Sequence, residues 1–213
     1  MAEIVDPLLV VVLLINFFVL GTSRMHSIVN GSAAQGVVLG AIALFAHGKF
    51  GVASLIIAGG AVVLKGVIIP SMLFRALRDV VIRREVEPLI GFVPSLLTGA
   101  FGTALAILFA HTLPLAPEHV GTLLVPTALS TVLAGFILLT TRKKAITQVV
   151  GYLILENGIF VMGLTLVDAM PFLVEMGVLL DLLVGIFIMG IMINHIQREF
   201  ASQDTTHLTQ LKE

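Results

Sequence analysis

The chain has 213 residues, of which 58% are hydrophobic and only 12% charged, and its mean hydropathy is +1.10. Few water-soluble domains tolerate that composition. A net charge of −1 excludes a global basic field for nucleic acid, and the absence of cysteine excludes disulfides, thiolate metal sites and Fe–S ligation by this chain.

A membrane-spanning helix needs about 20 mostly apolar residues. On that window the sequence predicts about seven spans, near 8–23, 28–46, 52–74, 88–110, 120–140, 146–167 and 172–194. The fold class is therefore an all-α polytopic membrane protein. The short polar loops leave no room for a soluble domain, a nucleotide site or an independent active site, so any function is built from helices. The opening segment MAEIVDPLLVVVLLINFFVLG carries acids in place of the basic n-region of a cleaved signal and reads as the first span.

Basic residues cluster in RALRDVVIRREVE (75–87), in TTRKK (140–144) and in HIQRE after the last span. The positive-inside rule places these segments and Arg24 in the cytoplasm, with the N-terminus and the loops HTLPLAPEHVG and DAMP outside and the C-terminus inside. Ten of the 12 basic residues then lie on the inner side. The exceptions are Lys49, in an outer loop, and Lys65, within a span. Arg83, Arg84, Arg142, Lys143 and Lys144 read as topology determinants and lipid headgroup contacts. The polar tail SQDTTHLTQLKE lacks apolar periodicity and carries no site.

Ionisable groups inside the spans are confined to the third, sixth and seventh, and such residues commonly mark ion pathways or pairs. At 1.5 Å per residue, Glu156 and Asp181 both fall near the midplane, and Lys65 lies at a similar depth. The spans carrying Glu156 and Asp181 are joined only by DAMP and are expected to be antiparallel neighbours, which suits proton exchange directly or through water. Burial favours the neutral acids and a nearby Lys65 favours the anions, so moving water or charge would switch their protonation. Lys65 would then tune the relay or continue it toward a neighbouring subunit, whereas the competing reading makes all three groups helix glue.

Around these groups, Pro70 leaves the carbonyl of Gly66 without its helical donor and predicts a kink beside Lys65. Glu175, about one turn into the last span, fits an outer entry or exit group or a partner of the helix dipole. Tyr152 and Asn157 flank Glu156 as supporting hydrogen-bonding residues. His111 and His195 sit at span ends without a second ligand at metal spacing, so neither a metal site nor a catalytic residue is assigned. No phosphate loop or nucleophile elbow is present.

From about 128 to 197, the span before TTRKK, the span with LENGIF and the span with LLDLLVGIFI resemble subunit K of the proton-pumping NADH-quinone oxidoreductase. That family carries two central glutamates on its proton axis. They map here to Glu156 and to Asp181, which is one methylene shorter. The resemblance implies a division into 1–127, an N-terminal membrane region of about four helices, 128–200, a subunit-K-like three-helix region, and the tail 201–213.

Over nearly the full length, the segments LKGVIIPSMLFRALRD, GYLILENGIF and FLVEMGVLLDLLVG resemble component E of the hydrogenase-4 and formate hydrogenlyase type of membrane-bound nickel–iron hydrogenases. This implies an accessory subunit of an oxidoreductase complex in the cell inner membrane, beside antiporter-like subunits and a hydrogenase or related redox arm. It binds no cofactor itself. The Fe–S and NiFe centres are expected in partner subunits. The alternatives are a scaffold joining the redox arm to antiporter modules, and a subunit of a multisubunit cation/proton antiporter.

Overall fold

The computed structural model describes residues 2–46, 59–60, 62–79, 86, 88–115 and 120–165. Among these, the long helices are α1 (Ala2–Gly21), α2 (Met25–Ala46), α4 (Phe92–Ala110), α5 (Leu124–Thr141) and α6 (Ala145–Leu164). All five are long and apolar enough to cross a membrane. Between α2 and α4 lie a π-helical segment, Leu64–Ile68, and α3 (Ile69–Asp79). The predicted seventh span and the first part of the third fall outside the described residues.

The described part of the third span is not the plain α-helix expected over 52–74. A π-helical turn precedes Pro70, closed by the Ile69 N–H donating to the Leu64 carbonyl, and helix continues to Asp79. A proline without an N–H loosens the ladder before it, and an inserted π turn is one way a helix absorbs that loss. Lys65 lies inside this turn, and π turns are frequent at functional sites.

The three residues between α1 and α2, and the three between α5 and α6, make each pair antiparallel. In a lipid solvent, helix association rests on close packing and hydrogen bonds more than on hydrophobic burial. The α5–α6 pair follows that rule. A Cβ on Gly151 would meet the Leu139 backbone nitrogen at 2.7 Å, one on Gly158 would crowd Val132, and one on Gly135 would crowd Leu155. These positions let backbone approach backbone. The outward faces are apolar instead, as with Leu14, Phe18, Leu97, Phe101, Leu105 and Phe136. An apolar exterior suits lipid and not water, so the chain is a membrane protein.

The interior has two apolar clusters. One gathers Val19, Met25, Ile28, Leu73, Leu138 and Ile154; the other gathers Leu9, Val12, Leu39, Ile42, Ala128 and Val161. Along α1, α2, α5 and α6 alike, a buried polar residue separates them: Asn16, Gln35, Thr131, and Glu156 with Asn157. A polar layer thus lies between two apolar cores.

Substituting Gly151 by alanine is expected to destabilise the protein by about 1–3 kcal/mol, the usual range for overpacking. Gly163, whose Cβ would meet nothing within 4 Å, should accept alanine without loss. Thermal unfolding of both variants in the same detergent checks the contrast.

Candidate functional site: a buried ion pair and its polar layer

Glu156 projects from α6 toward the π-helical segment. The Lys65 ammonium lies 2.6 Å from Glu156 Oε1, with side chains 15% and 4% exposed. The close approach depends on glycine. A Cβ on Gly36 of α2 would stand 2.8 Å from the Lys65 Cβ, and one on Gly66 would stand 2.7 Å from Val37. The ammonium also lies 5.6 Å from the Phe160 ring centroid, within cation–π range. A charge held this far from water requires such compensation.

The lysine engages the amide layer as well. Its Nζ donates to Asn157 Oδ1 at 3.3 Å, and Asn157 Nδ2 donates to Gln35 Oε1 at 3.1 Å. Gln35 Nε2 then donates to Asn16 Oδ1, and Asn16 Nδ2 to Thr131 Oγ1, each at 2.8 Å. The Thr131 hydroxyl ends the series by donating to the Thr127 carbonyl at 2.7 Å. Beside the head of this series, Ser32, Lys65, Ile69, Leu153 and Asn157 line a cavity of about 10 Å³, close to the space one water needs.

The structure therefore brings Glu156, Lys65 and Asn157 together and places Pro70, buried, five residues beyond the lysine. Tyr152 is half-buried one turn before Glu156. Asp181, Glu175, Lys49, Arg83, Arg84 and His195 lie outside the described residues. The ionisable groups expected in the third and sixth spans are joined by uncharged polar residues from the first, second and fifth, namely Asn16, Gln35 and Thr131. An amide or hydroxyl carries no charge whose cost at bilayer depth would single it out. Asn16 does carry a signal, a lone amide in the apolar run VVVLLINFFVL, whereas Gln35 and Thr131 stand beside other polar residues (SAAQ, TALST) and are not singled out.

Arg142 also departs from its expected place among headgroup contacts. It is fully buried. Its guanidinium donates to the Leu20 carbonyl at 3.0 Å and the Ile90 carbonyl at 3.3 Å, and it lies 5.1 Å from the Phe92 ring centroid. Its backbone carbonyl accepts from Gln148 Nε2 at 3.0 Å. Burial holds the guanidinium pKa below its ordinary value, which is so high that the charge persists. The residue ties the C-terminal end of α1 and the approach to α4 to the α5–α6 turn. Nearby, the Val86 N–H donates to the Ser23 carbonyl and the Leu89 N–H to the Thr141 carbonyl, at 2.8 and 2.7 Å. Arg24, Arg142, Lys143 and Lys144 thus share one end of the helix bundle.

Two comparisons bear on this site. An uncharacterized protein of Mycobacterium tuberculosis, Rv0085, is 33% identical over 193 residues, covering 89% of this chain and 87% of that protein. The chain belongs to the same family as Rv0085. Hydrogenase-4 component E of Escherichia coli and of Shigella flexneri is 29% identical over 85 residues, or 40% of this chain and 39% of that protein. The likeness expected over nearly the full chain is thus found over a shorter part. No protein-family model and no solved structure matches the chain.

Removing one member of a buried ion pair strands the other, typically at about 3–5 kcal/mol, whereas replacing both with apolar groups is far milder. Lys65→Met and Glu156→Leu should each lower stability strongly, and the double substitution should recover most of the loss. Chemical unfolding in detergent reads the cycle. Arg142→Lys should also destabilise, because the two carbonyls are reached by different guanidinium nitrogens and one ammonium on a different stem does not reproduce that fork.

Proposed function

We propose that the chain is a non-catalytic membrane subunit of a group 4 nickel–iron hydrogenase-like or related respiratory complex, contributing to proton translocation within the inner membrane. The observation that carries this reading is the Lys65–Glu156 ion pair, 2.6 Å apart between two apolar cores. A carboxylate beside an ammonium in a buried layer changes protonation when nearby charge or water moves. Such a pair at mid-depth suits a relay better than it suits packing, because an amide or hydroxyl binds helices at lower cost. The partial likeness to hydrogenase-4 component E supplies the kind of complex.

In this reading Asp181 is the next proton carrier and Glu175 an outer entry or exit group. The subunit-K-like region at 128–200 forms the conducting part, the region 1–127 packs beside it, and 201–213 is a tail. The bundle has about seven spans with the N-terminus outside. The end bearing Arg24, Arg142, Lys143 and Lys144 is cytoplasmic. Antiporter-like subunits and a redox arm are the partners, and the latter holds the Fe–S and NiFe centres, in keeping with a chain without cysteine.

A scaffold reading draws on the hydrogen bonds that tie α1, α2, α5 and α6 together. The two separate on one substitution. Glu156→Gln in the native complex, which removes the charge but keeps an acceptor beside Lys65, should lower proton translocation per assembled complex in inverted membrane vesicles by roughly tenfold or more. A fall in the yield of complex with unchanged coupling per complex favours the scaffold and removes the relay.

A further inference from the structure

The amide series beyond Lys65 has a single direction. An ammonium has donors and no acceptor, so Asn157 must present its oxygen to Lys65 and its nitrogen to the next residue. That choice passes along the series: Gln35 accepts from Asn157 and donates to Asn16, and Asn16 accepts from Gln35 and donates to Thr131. The far end agrees. The Thr131 hydroxyl accepts from Asn16 because its own proton is committed to the Thr127 carbonyl.

All four side chains are buried, with Gln35 and Thr131 fully so. A buried, fully satisfied series polarises each of its members in the same sense and is stronger than its separate bonds. Each amide here turns its negative end toward the lysine. Reversing the series requires Lys65 to act as an acceptor and Thr131 to release its backbone carbonyl. Local helix packing needs pairwise contacts only; it does not require a common direction through α1, α2, α5 and α6.

We propose that Asn157, Gln35, Asn16 and Thr131 are positioning residues, a directed hydrogen-bond chain that seats the Lys65 ammonium against Glu156. The chain holds the lysine and does not pass its proton on, since an amide relays a proton only through its unfavourable imidic acid form. The seating rests on the ion pair as found and needs no assumption about transport.

The test uses the full chain in lipid nanodiscs with 15N-labelled lysine, the Lys65 signal being assigned by its loss in Lys65→Arg. Hydrogen exchange of the ammonium with solvent is the readout, and thermal unfolding checks that each variant is folded. Thr131→Val, which keeps the shape and removes the hydroxyl at the far end, should speed exchange about threefold or more, and Gln35→Met, which cuts the middle, about tenfold. Thr131→Ser, which restores the hydroxyl, should exchange like the parent. Equal exchange in the parent, Thr131→Val and Thr131→Ser overturns the proposal, whether or not Gln35→Met folds. Every variant compared keeps both Lys65 and Glu156, and the relay is read separately by translocation in the Glu156→Gln complex, so failure here leaves the relay standing, and loss of the relay leaves this chain standing.

Discussion

A charged side chain at the centre of a membrane bundle must find its solvation within the protein, and the architecture follows from meeting that demand for Lys65. Glu156 supplies the counter-charge and Asn157 the first amide. Satisfying Asn157 in turn requires Gln35, then Asn16, then Thr131. Four helices are thereby fixed in rotation about their axes, because each must turn its member of the series inward at the same level. The apolar clusters above and below can then pack as ordinary helix interfaces.

Glycine makes the arrangement sterically possible. Gly36 and Gly66 let α2 lie against the π-helical segment at Lys65, while Gly135, Gly151 and Gly158 bring α5 and α6 into backbone contact. Arg142 plays a related part at the bundle end. It is a second buried cation, but it is compensated by carbonyls at helix ends and an aromatic face, with no carboxylate partner in its described contacts. The two sites divide the work: Arg142 clamps the ends of α1 and α5 to the approach to α4, and the Lys65–Glu156 pair organises the middle.

Much of the central feature was legible from residue position alone. Glu156 and Lys65 stand out because an ionisable group costs so much at bilayer depth that its presence needs a reason, and a rise of 1.5 Å per residue sets them at one level. Adjacency suggests that Asn157 supports Glu156, whereas its described hydrogen bonds go to Lys65 and Gln35. Asn16, Gln35 and Thr131 were not legible as partners, since an amide or hydroxyl in a span is common and its partner depends on which helices are neighbours and how each is rotated. The destination of Arg142 was hidden for another reason. One residue past a helix, a basic side chain reads as a headgroup contact, and only the convergence of the Leu20 and Ile90 carbonyls shows that it turns inward. The kink expected at Pro70 has its counterpart in the π turn, a register change that apolar periodicity does not encode.

On the proposed function, Glu156 is a carboxylate beside Lys65 that changes protonation when the complex works. Isotope-edited infrared difference spectroscopy on the intact complex in vesicles tests it directly, with the Glu156 band identified by its loss in a glutamine variant. The account predicts an ionised carboxylate band at rest and a protonated carboxyl band appearing as turnover begins. A Glu156 band that stays unchanged while protons are being pumped would contradict it.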